Sequence, residues 1–236
     1  MQSQQGKVGV EVFGEYACFS RPEFKVERIS YPVITPSAAR GVLEAIFWKP
    51  EFRYEIRRIG IIRLGKQISL MRNEIDRRQA NTPILVEACR QQRTSLILKD
   101  VAYLIEAEIN VKIDVSGSLA KYIEQFNRRV ERGQYHHTPY LGNREFPAFF
   151  SAPINKPISL NCDIGNMLFD IAYIEDESME EIEFIKHERY GSRKVKGYTK
   201  ALFFNACIRD GWLDVPQDKY EEVYMLERRD DDARGA

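Results

Sequence analysis

Long apolar runs are missing from this sequence. No stretch approaches the roughly 18 consecutive apolar residues that a membrane-spanning helix needs, so no membrane partner is expected. The opening residues, MQSQQGKVGVEVFG, lack the charged-then-apolar layout of a secretory signal, and a cytoplasmic location is the expectation. Cysteine is sparse: Cys18, Cys89, Cys162 and Cys207 lie far apart with no paired spacing. That pattern argues against a zinc site and a disulfide framework and for reduced core thiols, so neither a metal nor another cofactor is expected. No internal repeat or low-complexity tract is visible, although two similar halves remain compatible with the pattern. An excess of either charge is also lacking, since 35 basic residues face 35 acidic ones.

What is present is material for a real core: 236 residues, 44% hydrophobic and 30% charged, enough for one large or two modest domains. The neutral balance conceals segregation. Arg53, Arg57, Arg58, Arg63, Lys66, Arg72, Arg77, Arg78, Arg90, Arg93 and Lys99 meet few acids nearby, whereas acids gather in residues 175–183 and 230–232. A basic first half suits a polyanion; the alternative is a solvated arginine-rich surface.

Residues 28–50, RISYPVITPSAARGVLEAIFWKP, carry the densest local information. Thr35 suits a helix N-cap and Pro36 the first helical position, where an amide hydrogen would lack a partner anyway. Ala39, Val42, Leu43, Ile46 and Phe47 form one apolar stripe at helical spacing, and Pro50 stops the helix. Arg28, Arg40 and Lys49 surround Tyr31 and Trp48, a mixture of cations and flat rings that suits phosphates and stacked bases. The competing reading makes Tyr31 and Trp48 ordinary half-buried aromatics.

Around this helix, alternation predicts strands beginning at Val8, over 53–63 and over 101–111, the last being the clearest. Residues 65–99 show no clean period and are read as a long, partly mobile basic insertion. Ser116 or Ser118 is expected to cap a second helix over 119–132, ended by Gly133. A loop with His136 and His137 then leads to a strand over 144–150. The resulting order is strand, helix, strand, strand, helix, strand. The expected class is therefore α+β, with a ferredoxin-like (RRM-like, split β-α-β) domain over 1–151 carrying that insertion. A smaller β-rich domain follows over 152–215. It includes a basic loop at 189–198 and a closing hairpin turning at Arg209, Asp210 and Gly211. Residues 216–236 read as a charged C-terminal segment.

Four blocks in order, FGEYACFSRPEFKVERISY, PSAARGVLEAIFWKP, FNRR and GQYHHTPYLGNREFPA, with DGWL at 210–213, give the chain a family resemblance. It resembles the CRISPR-associated crRNA-processing proteins of type I-C (Dvulg) systems, within the RAMP superfamily of ferredoxin-like RNA-binding proteins. The resemblance implies an endoribonuclease that cuts CRISPR precursor RNA at the repeat stem-loop without a metal. It further implies retention of the 5′ handle within the interference complex, among its other subunits. The family's proposed site combines a tyrosine on the first helix with a Lys-His pair on the second. Those positions fall on Phe47, Lys121 and Tyr122, so only the lysine matches.

Such a cut needs a base for the 2′-hydroxyl, a cation for charge developing on phosphorus, and an acid for the leaving 5′ oxygen. Lys121 supplies the cation and can act as an acid. Tyr122 has a hydroxyl, but an ordinary phenol near pKa ~10 is a poor base at neutral pH. His137 or His136 is expected to replace the missing histidine, because imidazole titrates in the useful range; the alternative is that both support the loop or contact RNA. The expected RNA-binding set is Arg28, Tyr31, Arg40, Trp48, Lys49, Arg72, Arg77, Arg78, Arg128, Arg129 and Arg144. Some of these are equally placed for structural pairs, such as Arg128 or Arg129 with Glu124 or Glu131. Nonspecific double-stranded DNA is a further possible ligand. Two other readings stand beside the enzyme: a catalytically silent handle-binding subunit, and a ferredoxin-like protein with a small-molecule ligand.

Overall fold

The computed structural model describes residues 6–24, 27–77, 83–111, 119–179, 181–188 and 191–228. Strand β1 (Lys7–Ala17) buries Val8, Val10 and Val12 by alternation and leads through a loop to helix α1 (Pro36–Ile46). The helix starts where its sequence demands. Thr35 stays extended and its hydroxyl accepts from the Ala38 amide at 3.2 Å, with Pro36 in the first turn. Ala39, Val42, Leu43 and Ile46 are buried along one face, and Phe47 leaves the helix with an extended backbone.

Strands β2 (Phe52–Arg63) and β3 (Lys66–Ile75), the single turn α2 (Val86–Cys89) and the 22-residue β4 (Arg90–Val111) follow. Helix α3 (Leu119–Glu131) buries Tyr122, Phe126 and Val130 and packs beside α1. The remaining elements are β5 (Phe149–Ser151), β6 (Cys162–Glu175), β7 (Ile182–Glu188), β8 (Gly191–Arg209), β9 (Trp212–Asp214) and α4 (Asp218–Arg228). The class is α+β. One antiparallel sheet runs β5-β1-β4-β2-β9-β8-β6, with β3 on β4 and β7 on β8. Because β9 bonds to β2 at Ile59–Leu213, residues on either side of position 151 share this sheet. Val12, Leu43, Tyr103, Phe126, Phe169, Leu202 and Val223 likewise belong to one buried core.

Four local expectations are corrected. Residues 65–99 are not an irregular insertion: β3 and the first half of β4 form a hairpin arm, paired from Lys66–Lys99 out to Ile75–Arg90. The arm bends away at Gly65 and Asp100, both at positive φ. Its alternation is faint in sequence because only its base buries a face, on Cys18 and Phe146, while Met71 and Ile75 are exposed. Most of the expected basic loop at 189–198 is strand, paired with β7 from Gly191–Glu188 to Gly197–Ile182. The expected strand at 144–150 shrinks to β5, because Phe146 turns back to Asn143 and pairs with Leu141. The charged C-terminal segment contains α4, which buries Tyr220 and Val223; the Ile56 amide donates to the Tyr220 hydroxyl at 2.7 Å. The turn at Asp210 and Gly211 does join β8 to β9, with both residues at positive φ. Ser116, Ser118 and residues 230–232 lie outside the described residues.

Candidate functional site

The last turn of a helix leaves carbonyl oxygens without helical partners. At the end of α1 three such oxygens are claimed by three other segments. Ala45 O accepts from the backbone amides of His136 and His137 at 2.8 and 3.2 Å. Ile46 O accepts from the Arg129 guanidinium at 2.7 Å, and Phe47 O from the Tyr54 hydroxyl at 2.7 Å. The end of α1 is thus the anchor for both the histidine loop and α3.

Side chains reinforce the junction. Phe47, 1% exposed, packs against Phe52 and Tyr122 with ring centroids 5.4 and 6.4 Å apart, and Arg129 covers its ring at 5.3 Å. Phe52 and Tyr122 lie 5.1 Å apart. Lys121 is exposed in the first turn of α3, one residue before Tyr122. His136 and His137 are exposed, their rings 5.8 Å apart, while their amides are held on α1. Lys121–Tyr122 and the histidine loop therefore reach the same helix end, one pair through Phe47 and the other through Ala45.

Electrostatics sort the roles. Burial, and after it the negative charge of Glu51, pushes the Tyr122 phenol above its ordinary range. Tyr122 consequently stays protonated at neutral pH, which leaves it no base there. Phe47 is core and carries no proton. Glu51, at the turn between α1 and β2, has one carboxylate oxygen, Oε2, that is shielded from solvent and has no hydrogen-bond partner.

The expected RNA-binding residues divide. Trp48, Lys49, Arg128 and Arg144 are exposed, as is Arg77, which pairs with Asp76. Arg28 and Arg72 share Glu145 and Glu74, tying the arm to the loop before β5. Arg129 serves the α1 terminus. Two expectations are corrected. Tyr31 is fully buried, with its hydroxyl accepting from the Leu168 amide, so its ring offers no stacking face. Arg40 forks onto buried Asp170 at 2.8 and 3.0 Å and also bonds Glu44, so its charge is spent inside the protein. Arg78 lies outside the described residues. An unforeseen contact places His187 of β7 against Trp48, ring centroids 5.1 Å apart. Among the described residues no group of three or more His, Cys, Asp or Glu is placed to hold a metal ion.

Residues 8–214 match the family described as CRISPR-associated protein (Cas_Cas5). A relative from Thermus thermophilus named CRISPR pre-crRNA endoribonuclease Cas5d is 60% identical over 223 residues, covering 94% of this chain and 96% of its own length. A Mannheimia succiniciproducens protein of the same name is 36% identical over 242 residues, covering 92% and 98%. Two solved structures share the fold. One, titled only as a CRISPR-associated protein, has a TM-score of 0.60 at 19% identity; coverage is 90% of this chain and 93% of that one. The other, the functionally uncharacterized protein SMU1763c from Streptococcus mutans, has a TM-score of 0.61 at 17% identity with the same coverage.

Proposed function

This chain belongs to the Cas5 family of CRISPR-associated proteins, and on that premise we propose that it is a metal-independent endoribonuclease of CRISPR precursor RNA. It cuts at the repeat stem-loop and keeps the 5′ handle as a subunit of the type I-C interference complex. Its platform is the split β-α-β, ferredoxin-like arrangement. That reading is supported by strand order β5-β1-β4-β2, with α1 between β1 and β2 and α3 between β4 and β5.

One observation carries the enzymatic role: the last turn of α1 holds the His136–His137 loop through Ala45 and the Lys121–Tyr122 pair through Phe47. The chemistry is attack of a ribose 2′-hydroxyl on the adjacent phosphorus, expelling the 5′ oxygen and leaving a 2′,3′-cyclic phosphate. Lys121 places its ammonium against the charge that develops on phosphorus. Tyr122, held protonated, donates to a phosphate oxygen. His137 or His136 moves the proton that the family's missing histidine would move. Trp48, Lys49, Arg77, Arg128 and Arg144 present cations and a ring to the RNA, and such a surface also takes double-stranded DNA without sequence preference.

The test is cleavage of the cognate repeat RNA in EDTA by wild type, Lys121→Ala and His136→Ala/His137→Ala. A single cut ending in a cyclic phosphate, abolished by Lys121→Ala with affinity kept, is the expected result. A specific observation favours a second reading: Phe47 cannot transfer a proton and Tyr122 is packed against it. Tight binding without any cut would establish that reading, a silent handle-binding subunit.

A further inference from the structure

Phe47 leaves α1 with an extended backbone, which sends the next side chain to the opposite side of the chain. Phe47 therefore enters the core and Trp48 turns outward, where 36% of it stays exposed. A large ring left in water is informative when it belongs to a wider patch. Here the patch continues onto His187 of β7, whose ring lies 5.1 Å from that of Trp48 and is inclined to it by 60°. Along β7 the half-buried Ile182, Phe184 and Lys186 alternate with the exposed Glu183, Ile185 and His187. Directly opposed residues of a strand pair share a face, and the register sets Ile185 against Lys194 and Glu183 against Lys196. His187, Ile185, Lys194 and Lys196 thus stand on one exposed face of the β7–β8 hairpin, where Lys194 also pairs with Glu183. Lys186 and Arg193 lie on the other face, tied to Glu175. The exposed face meets the end of α1 at Trp48, with exposed Lys49 next in the chain. Ala45, which holds the histidine loop, is three residues earlier.

We infer that Trp48 and His187 together form a nucleobase-stacking platform for an unpaired nucleotide of the repeat RNA, with Lys49, Lys194 and Lys196 taking the flanking phosphates. This rests on the RNA-cleaving reading above and deepens it by adding the β7–β8 hairpin to the RNA surface. Every base has a π face, so exposed rings flanked by cations hold a single strand without reading its sequence. A duplex keeps its base faces stacked inside, so the platform favours the unpaired flank of a stem-loop over the stem. The preceding residue, Phe47, packs on Tyr122 at 6.4 Å, so a base held on Trp48 fixes the strand close to Lys121 and Tyr122. Neither ring transfers a proton in this role; the platform positions the RNA.

The experiment titrates the full chain with repeat RNA in EDTA, intact or with one abasic nucleotide placed in turn at each unpaired position near the cut. Wild type, Trp48→Ala, His187→Ala, His187→Phe and His187→Lys are compared, with a melting temperature and a cleavage rate for each. On a Trp212→Phe background Trp48 is the remaining tryptophan, and its fluorescence reports stacking. Trp48→Ala is expected to bind about 10-fold more weakly, the loss of one stacked base. One abasic position should cost wild type a similar factor and cost Trp48→Ala nothing further, and intact RNA should quench Trp48. His187→Ala should lose affinity, His187→Phe keep it and His187→Lys fail to restore it, because the base meets a ring and not a charge. Melting temperatures should stay within about 2 °C of wild type, as for exposed side chains. If wild type cuts while Trp48→Ala binds equally well and Trp48 fluorescence is unmoved, the platform is overturned: the contact only docks the hairpin on α1, and the endoribonuclease stands. An equal loss on every RNA, abasic or intact, overturns it as well. Binding with quenching and the single abasic position, but without any cut, upholds the platform and removes the enzyme.

Discussion

Replacing Asp170 by asparagine removes one charge from the most completely enclosed ion pair among the described residues, and the consequence can be worked out. The Asp170 side chain is 3% exposed and that of Arg40 is 18% exposed. Arg40 reaches both carboxylate oxygens, at 2.8 and 3.0 Å; Arg53 lies 3.5 Å away and the Ile171 amide donates at 2.8 Å. Breaking one partner of a buried pair costs about 3–5 kcal/mol, because the remaining charge is stranded. Glu44 still holds Arg40 at 2.7 Å, which places Asp170→Asn near the lower end, about 3 kcal/mol. For a chain of this size that corresponds to a fall of roughly 6–12 °C in melting temperature.

The sign with pH follows from the carboxylate. Burial alone would raise its pKa, but the charge and hydrogen bonds of Arg40, helped by Arg53, hold it below the ordinary value. A depressed pKa stabilises the fold above the unfolded value, near ~4, and that contribution disappears as pH falls through the folded one. Thermal melts followed by circular dichroism should therefore show the full deficit of Asp170→Asn at neutral pH and a shrinking one in acid. Arg40→Met should lower the melting temperature as well, while the folded fraction binds repeat RNA with wild-type affinity and salt dependence. An Asp170→Asn protein melting within about 2 °C of wild type would refute the energetics. Wild-type stability with lost RNA affinity in Arg40→Met would return Arg40 to the RNA surface.

Glu175 offers an independent acid-range prediction. Arg193 and then Lys186 pull its pKa from 4.5 down to about 2, worth on the order of 3 kcal/mol. That stability is complete above about pH 4.5 and is lost as pH falls toward 2, so Glu175→Gln should flatten the acid limb of the urea midpoint against pH; an unchanged limb argues against it. Phe47→Tyr restores the family's residue but buries a hydroxyl with no partner, costing about 1–3 kcal/mol, and should leave the cleavage rate unimproved. A tenfold faster cut would show that ring position 47 reaches the phosphate after all.

Legibility in the sequence follows the range of the interactions. Helix α1 could be read from start to stop because its cap, proline and apolar stripe lie within 28–50; the turn at Asp210 and Gly211 was local in the same sense. Tyr31 and Arg40 were misread because their partners, Leu168 and Asp170, stand 137 and 130 residues away on β6. Helix α4 was hidden likewise, since the Ile56 amide that meets Tyr220 is 164 residues distant.

The candidate site divides along the same line. Lys121 and Tyr122 were named by the family resemblance and His136 and His137 from the loop after the second helix, and the structure brings their segments to one helix end. What no local pattern announces is the reason they meet. A helix stopping at Phe47 without a C-terminal glycine leaves carbonyl oxygens that need donors. Sequence states that demand but not its supply, which comes from the amides of residues 136 and 137, the Arg129 guanidinium and the Tyr54 hydroxyl. Glu51 is the converse: an acceptor four residues past Phe47 for which the folded chain provides no donor at one oxygen.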